Sequence, residues 1–232
     1  VLALTATADK LTRKDIAGQL QLQNPATFIA SFDRPNIALS VRRGQKRFEQ
    51  ILQFLKSRPG QSGIIYCLAR RTCEDISEKL NARGFNTAYY HANMSPKDRD
   101  RVQDDFINDR VPIICATIAF GMGIDKSNVR FIVHYNLPRN LEGYYQEIGR
   151  CGRDGLPAEA LLFFSYQDVM TYRQMFEESE AEPAQKNLKI VKLDRMYQFA
   201  EAPVCRRKTV LYYFGEAYDK NCGNCDAAST AR

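Results

Sequence analysis

The sequence predicts an α/β fold, in which a parallel β-sheet with flanking helices is followed by a small, mostly helical region. From about residue 28 to 166, short apolar runs alternate with helical stretches, which is the pattern of βαβ units. Runs such as "IIYC" at 64–67 show little polar alternation, as expected of strands covered on both faces. From about residue 167 the strand signals end and only helical stretches remain.

The elements follow in order along the chain. "VLALTATA" at 1–8 is typical of a strand and 10–22 of a helix, and 24–36 is predicted as a linker. Strands are expected at 63–69, 87–92, 111–117, 129–137 and 159–165, and helices at 72–83, 96–108, 141–150, 167–180, 186–200 and 205–218. Because the chain begins with Val1 and not Met, we expect it to start inside a longer protein.

The composition indicates a soluble chain from a reducing compartment. Lys and Arg number 33 against 27 Asp and Glu, and the net charge of +6 permits nucleic-acid binding without requiring it. Seven cysteines, an odd number, argue against a closed disulfide framework, and we expect Cys67 and Cys115 to be buried thiols. The longest uncharged apolar run, 111–124, is shorter than the roughly 20 residues of a membrane span, so no membrane association is predicted.

"QEIGRCGRDG" at 146–155 is the first candidate site. Arg150 and Arg153 stand among three glycines, which permit close approach, and guanidinium groups suit phosphate. For either arginine alone, the alternative is an ion pair with Asp154 or Glu147. The sequence contains no G-x-x-x-x-G-K-[ST] loop that would hold a nucleotide.

Residues 116–129 form the second candidate site. Thr117 follows a predicted strand at its carboxyl end, and Gly121 and Gly123 precede Asp125. Backbone amides and a hydroxyl in this arrangement suit phosphate, although an isolated G-x-G is more often a plain turn.

Cys205, Cys222 and Cys225, spaced C-x₁₆-C-x₂-C, form the third candidate site. Thiolates at this spacing can bind one Zn²⁺, and the alternative is three idle thiols. Arg206, Arg207 and Lys208, together with Lys186, Lys189 and Lys192, could form a basic face toward phosphate, or an ordinary solvated helix face.

Five motifs in this order resemble the later motifs of superfamily 2 helicases: "TAT" (5–7), "IIYC" (64–67), "YYHANMS" (89–95), "ATIAFGMGID" (116–125) and "YYQEIGRCGRDG" (144–155). "AFGMGID" with "QEIGR-x-GRDG" is most similar to the RecQ family. The resemblance implies two RecA-like lobes with ATP and Mg²⁺ in the cleft, held mainly by the first lobe. It assigns 1–25 to the end of lobe 1 and a linker, 26–166 to the second lobe, and 167–232 to a zinc-binding subdomain.

The resemblance also implies roles for single residues. Arg153 matches the arginine finger and Arg150 a second phosphate-contacting arginine. The nucleotide-facing positions are Gln146, Gly123 and Asp125, and the DNA-facing positions are Thr117, His91, Asn93 and Ser95. For Ser95, simple capping of the following helix is the alternative.

The implied activity is that of an ATP-dependent 3′–5′ DNA helicase, whose partners are single-stranded and duplex DNA and the first lobe of the same protein. Such a protein would work in a bacterial nucleoid or a eukaryotic nucleus, and this chain alone should not hydrolyse ATP. The alternatives are a related motor acting on RNA or chromatin and a non-enzymatic, zinc-dependent nucleic-acid-binding fragment.

Two positions depart from the family pattern. Cys151 stands where the family usually has Ala, either as a plain small-residue exchange or as an oxidisable thiol with a lowered pKa. Ala228 stands where a fourth cysteine would complete the zinc ligands. Either the chain is cut short at an unfavourable place, or water, Asp226 or another group fills the position, or no zinc is bound.

Overall fold

Six parallel strands form the centre of the fold in the computed structural model, which describes residues 1–5, 10–121 and 124–229. The strands are β1 (Ile37–Arg43), β2 (Ser62–Tyr66), β3 (Thr87–Tyr90), β4 (Ile113–Ala116), β5 (Val129–His134) and β6 (Ala158–Phe164). Their order in the sheet is β1-β6-β5-β2-β4-β3, and every pair is parallel. The predicted parallel sheet is therefore confirmed.

Helices cover both faces of this sheet. The helices of the described residues are α1 (Lys10–Gln19), α2 (Arg47–Lys56), α3 (Arg70–Asn81), α4 (Pro96–Ile107), α5 (Leu141–Ile148), α6 (Tyr166–Glu177), α7 (Pro183–Glu201), α8 (Arg206–Tyr213) and α9 (Asp226–Ser229), of which α1 contributes no residue to either core. The side chain of Ile64 joins the core under α4 and α5, whereas Ile65 joins the core under α2 and α3. Neighbouring strand residues thus enter opposite cores, which explains why "IIYC" shows no polar alternation.

The N-terminal part of the chain differs from the expectation in two ways. Residues 1–5 form no strand, because Leu2 and Leu4 are exposed and no neighbouring strand pairs with them; residues 6–9 lie outside the described part. Between 37 and 56, the structure has β1 and α2, for which the sequence predicted no separate elements. Residues 25–34 contain no helix or strand, which agrees with the linker predicted at 24–36.

The C-terminal helices pack on the same core as α4 and α5. Tyr144 of α5 contacts Phe199 of α7, with ring centroids 5.4 Å apart, and both side chains are buried. Helix α8 is shorter than the predicted 205–218, because the chain turns at Gly215 and the Glu216 amide donates back to the Leu211 carbonyl. No helix among the described residues is long and apolar enough to cross a membrane.

The outer edge of β1 is covered by the segment that carries two of the cysteines. The Leu39 amide donates to the Asn224 carbonyl over 3.2 Å, and Leu39 pairs with Cys225 in an isolated parallel bridge. The Asn224 side chain also donates to the Pro35 carbonyl over 3.0 Å. The end of the described chain is thereby tied to the beginning of the sheet.

Candidate nucleotide and nucleic-acid site

The arginine loop begins where α5 ends. Helix α5 starts at a good cap, because the Asn140 side chain accepts from the Gly143 amide over 2.7 Å. Its buried residues, Leu141, Tyr144 and Ile148, fix it on the sheet. The loop that follows therefore leaves the helix from a rigid base and presents Arg150 and Arg153.

Two linker residues hold the backbone of this loop. Arg34 donates to the carbonyls of Gly149, Cys151 and Gly152 over 3.4, 3.1 and 2.9 Å. Asn36 donates to the Gly152 carbonyl over 2.8 Å. Gly152 has φ +59°, and a Cβ there would lie 2.5 Å from the Asn36 amide nitrogen, so glycine is required. The sequence did not predict that Arg34 and Asn36 would hold this loop, because a linker shows no helical or strand periodicity.

Arg150 reaches the segment that follows β4. Its guanidinium donates to the Gly121 carbonyl, and its Nε is buried without a hydrogen-bond partner. A Cβ on Gly121 would stand 2.6 Å from this guanidinium, so the close approach depends on glycine. The Tyr66 hydroxyl donates to the neighbouring Phe120 carbonyl over 3.0 Å, and burial raises the pKa of Tyr66 against the opposing effect of Arg150.

Arg153 contacts the same segment three to four residues beyond Gly121. Its Nη1 donates to the Ile124 carbonyl and to Asp125 Oδ1, each over 3.0 Å. The alternative ion pairs are not formed, because Asp154 pairs with Arg130 at 2.6 Å and Glu147 with His134 at 2.7 Å. The structure thus brings Arg150, Arg153 and Asp125 together.

Two other predicted nucleotide-facing positions have different outcomes. Gln146 is exposed on α5, one turn before Arg150. Gly123 lies outside the described residues, so the structure says nothing of it.

The predicted DNA-facing residues lie at the carboxyl ends of β3 and β4, which are neighbours in the sheet. The Thr117 amide donates to the Tyr90 carbonyl over 3.1 Å, which ties the two loops together. Thr117 is half-buried, and Asn93 and Ser95 are exposed. Carboxyl ends of parallel strands are where ligands bind in open α/β sheets.

His91 and Ser95 each have a partner within the chain. The His91 ring is buried, lies 2.8 Å from Glu74 and stacks on Tyr89 with centroids 5.5 Å apart. The Ser95 hydroxyl accepts from the Asp98 amide over 3.1 Å, so the predicted capping of α4 is confirmed. Contact of these residues with DNA stays a prediction.

Cys151 is a buried packing residue. Its side chain is fully buried, and its thiol donates to the Ile148 carbonyl over 3.1 Å. Burial raises the pKa of Cys151 to about 12, against a smaller lowering by Arg34. The hypothesis of an oxidisable thiol with a lowered pKa is therefore wrong, and the small-residue exchange agrees with the structure.

The proposed basic face of α8 is also wrong. Arg206 and Arg207 are buried, and their guanidinium groups pair with Asp226 and Asp33. Arg207 also donates to the Ile37 carbonyl over 2.8 Å. These arginines tie α8 to the linker and to α9, whereas Lys208 is half-buried.

The three C-terminal cysteines do come together. The sulfur atoms of Cys205, Cys222 and Cys225 all lie within 4.8 Å of one another, and those of Cys205 and Cys225 are 3.9 Å apart. Tetrahedral zinc–thiolate bonds of 2.3 Å place sulfur atoms about 3.8 Å apart, so the cluster fits one zinc ion. Burial raises the pKa of Cys205, but hydrogen bonds with the amides of Lys208 and Cys222 and with the thiols of Cys222 and Cys225 together lower it below its usual value, whereas burial raises the pKa of Cys222 to about 11.

Comparison with known families agrees with this geometry. Residues 46–155 match the model described as the helicase conserved C-terminal domain, and residues 166–228 match the model for RecQ zinc-binding. The chain belongs to the RecQ family. The zinc-binding match covers the helical region that carries Cys205, Cys222 and Cys225.

Curated RecQ relatives are similar over nearly the whole chain. ATP-dependent DNA helicase RecQ from Pasteurella multocida (strain Pm70) is 48% identical over 226 residues, which is 97% of this chain and 36% of the relative. The helicase hus2/rqh1 from Schizosaccharomyces pombe is 41% identical, over 94% of this chain and 17% of the relative. The chain therefore spans only about a third of the length of its bacterial relative.

Solved structures confirm the RecA-like fold. Saccharomyces cerevisiae Dbp5 bound to RNA and ADP BeF3 matches 83% of this chain and 54% of its own, with a TM-score of 0.61 and 20% identity. A DEAD box protein from Methanococcus jannaschii matches 73% of this chain and 47% of its own, with a TM-score of 0.54 and 24% identity. At these identities the likeness is one of fold alone.

Proposed function

We propose that this chain is the second RecA-like lobe and zinc-binding subdomain of an ATP-dependent DNA helicase that moves 3′ to 5′. The observation that carries the proposal is the convergence of Arg150 and Arg153 on the segment after β4, where they contact Gly121, Ile124 and Asp125. We divide the chain into 1–25 as the end of lobe 1 and a linker, 26–166 as the second lobe, and 167–232 as the subdomain.

The arginine pair carries positive charge that few carboxylates offset. Among the described residues, no carboxylate lies within ion-pair distance of Arg150, and the only ion pair of Arg153 is with Asp125. The Asp125 side chain is 95% exposed, so solvent weakens that pair. An incoming triphosphate would meet the half-buried guanidinium of Arg150 and the more mobile guanidinium of Arg153, with Gln146 exposed beside them.

The nucleic-acid contact is proposed at the carboxyl ends of β3 and β4. Thr117, Asn93 and Ser95 present a hydroxyl, an amide and a second hydroxyl there, and such groups suit phosphate and sugar. His91 is buried against Glu74 and is better placed to fix the loop than to touch DNA. Contacts of this kind read the backbone, so binding should be tolerant of sequence, and the net charge of +6 should make it salt-sensitive.

One short segment joins the two proposed sites. Residues 117–125 begin at Thr117 beside Tyr90 and end at Asp125 beside Arg153. Tyr66 holds the middle of this segment through the Phe120 carbonyl, and Gly121 lies against Arg150. A shift of Arg150 or Arg153 toward a nucleotide would therefore move the backbone that leads to Thr117, which is a direct route for coupling.

ATP and Mg²⁺ would be held mainly by the first lobe, and this chain would supply the arginines. Zinc would be held by Cys205, Cys222 and Cys225, where it would tie α8 to the segment on the edge of β1. A DNA substrate would place the protein in a bacterial nucleoid or a eukaryotic nucleus.

The decisive experiment compares the chain alone with a protein that contains both lobes. We expect the chain alone to hydrolyse no ATP, with or without single-stranded DNA, and the two-lobe protein to unwind duplexes with a 3′ tail but not a 5′ tail. Substantial hydrolysis by the chain alone would overturn the composite site. Unwinding only of 5′-tailed duplexes would overturn the direction and leave the motor intact.

The alternatives give different results in the same assay. A motor specific for RNA would be stimulated by RNA and not by DNA of the same sequence. A non-enzymatic binding fragment would bind DNA in a zinc-dependent way, and the two-lobe protein would show no turnover. The two relatives described above are named DNA helicases, which favours DNA, whereas a relative from Acanthamoeba polyphaga mimivirus, 40% identical over 97% of this chain, is named a putative RNA helicase.

A further inference from the structure

The C-terminal sulfur cluster has three protein ligands where zinc prefers four. Zinc in structural sites is almost always bound by four protein ligands, and three ligands with an open position are typical of sites that exchange a fourth ligand. Among the described His, Cys, Asp and Glu side chains, no fourth ligand atom joins the group formed by Cys205, Cys222 and Cys225. The source of the fourth ligand is therefore the open question at this site.

No other cysteine or histidine of the sequence is placed to fill this position. The two histidines are held in the sheet lobe, where His91 pairs with Glu74 and His134 with Glu147. The four remaining cysteines are buried in the same lobe, at Cys67, Cys73, Cys115 and Cys151. Between Cys225 and Arg232 the sequence contains neither residue type.

Asp226, the nearest carboxylate in sequence, is already engaged. Arg206 donates to both of its oxygens, from Nε to Oδ1 over 3.0 Å and from Nη2 to Oδ2 over 3.1 Å. The Arg206 side chain is 8% exposed and also donates to the carbonyls of Phe199 and Ala202. Turning Asp226 toward a metal would leave this buried guanidinium without its counter-charge, which is strongly unfavourable.

The cluster is accessible from one side. Cys205 and Cys225 are buried, but Cys222 is only half-buried, and its neighbours Asn221 and Gly223 are exposed. The side of the cluster at Cys222 is therefore the side that faces solvent.

We propose that these three thiolates bind zinc with the fourth position left to an exogenous ligand, which is water at rest and a small nitrogen or sulfur donor when one is present. The inference rests on the zinc binding proposed above and goes beyond it, because a closed structural site would exchange no ligand. It makes the subdomain's metal responsive to small donors in solution.

The test replaces zinc by Co²⁺, whose visible absorption reports the number of bound sulfur atoms, and uses imidazole as the probe. For the parent protein we expect one metal ion per chain and a saturable shift of the visible bands with imidazole. Ala228→Cys places a fourth cysteine in a C-x₂-C-x₂-C spacing, and for this variant we expect no shift of the bands with imidazole. The sulfur-to-cobalt absorbance of the parent should be about three quarters of that of Ala228→Cys. Ala227→Cys, with a thiol one residue away, should behave like the parent.

Each of the other outcomes would overturn a different part of the proposal. No imidazole response in the parent, with the same absorbance as in Ala228→Cys, would show a fourth protein ligand and overturn the open position. An Asp226→Asn variant with a changed cobalt spectrum would overturn the exclusion of Asp226. Absence of any bound metal in the parent would overturn zinc binding itself, and the open position with it. If Ala228→Cys does not fold, the imidazole response of the parent decides alone.

Discussion

The guanidinium of Arg153 donates to the carboxylate of Asp125 over 3.0 Å, across 28 residues of chain. The Asp125 side chain is 95% exposed and the Arg153 side chain 35% exposed, so the pair lies on the solvent side of the loop. Exposed pairs of this kind stabilise a protein by at most about 1 kcal/mol. Arg153 can therefore leave Asp125 for a nucleotide phosphate at little energetic cost. In the structure its guanidinium also donates to the Ile124 carbonyl.

The first prediction concerns Arg153 in the protein that contains both lobes. Arg153→Ala should lower ATP turnover by about 10³-fold, because a guanidinium that offsets charge during phosphoryl transfer is worth that much or more. Arg153→Lys should not restore turnover, because a point charge does not reproduce the planar fork. Arg83→Ala, on an exposed turn, is the control and should leave turnover unchanged. Steady-state hydrolysis measures the effect, and normal turnover in Arg153→Ala would refute the assignment.

The second prediction concerns the close contact between Gly121 and Arg150. Gly121→Ala would place a Cβ 2.6 Å from the guanidinium, so either the loop or Arg150 must move. We expect a loss of about 1–3 kcal/mol in the free energy of unfolding, measured by urea denaturation. Gly18→Ala is the matched control, because its Cβ would meet nothing within 4 Å and a helical alanine is slightly favourable. Equal stability of the two variants would contradict the packing described here.

The third prediction separates buried from exposed charge on α8. Arg207→Ala leaves Asp33 and the Ile37 carbonyl without their donor, and should cost about 3–5 kcal/mol of unfolding free energy. Lys208→Ala, one residue on and half-buried, should cost less than about 0.5 kcal/mol. Under conditions where Arg207→Ala is folded, the salt dependence of its DNA affinity should equal that of the parent. A smaller slope would mean that Arg207 contacts DNA after all.

The fourth prediction concerns the pH dependence contributed by Cys151. Burial raises its pKa from 9.0 to about 12, so the native state keeps a proton that the unfolded state releases. Its contribution to stability is complete below pH 9 and is lost as the pH rises from 9 to 12, at about 1.4 kcal/mol per pH unit. Cys151→Ala should remove this part of the slope, measured by urea unfolding between pH 8 and 11. The prediction fails if parent and variant lose stability in parallel.

Much of the fold could be predicted because strands and helices of the sheet lobe carry strong local signals. Ile64 and Ile65 lie in a run that is apolar throughout, and this run proved to be covered on both faces. Strand β1 gave a weaker signal, because it lies at an edge and its last residues, Arg42 and Arg43, are exposed. Its place in the sheet depends on pairing with β6, more than 100 residues away, which no local pattern reports.

The candidate site was predictable only in part. Arg150, Arg153 and Asp125 were found from their motifs, and the structure brings them together. Arg34 was missed because its acceptors are backbone carbonyls more than 100 residues away, which have no signature in sequence. Arg207 was misjudged for the same reason, since its partner Asp33 lies 174 residues away.

The segment Cys222–Cys225 has a consequence for how the protein behaves in concentrated solution. It occupies the outer side of β1 through Leu39, where the sheet would otherwise present unpaired backbone groups. An uncovered edge strand is a template for strands of other molecules. If chelation releases this segment, copies of the chain can join edge to edge, so metal loss would be seen first as turbidity and only later as unfolding.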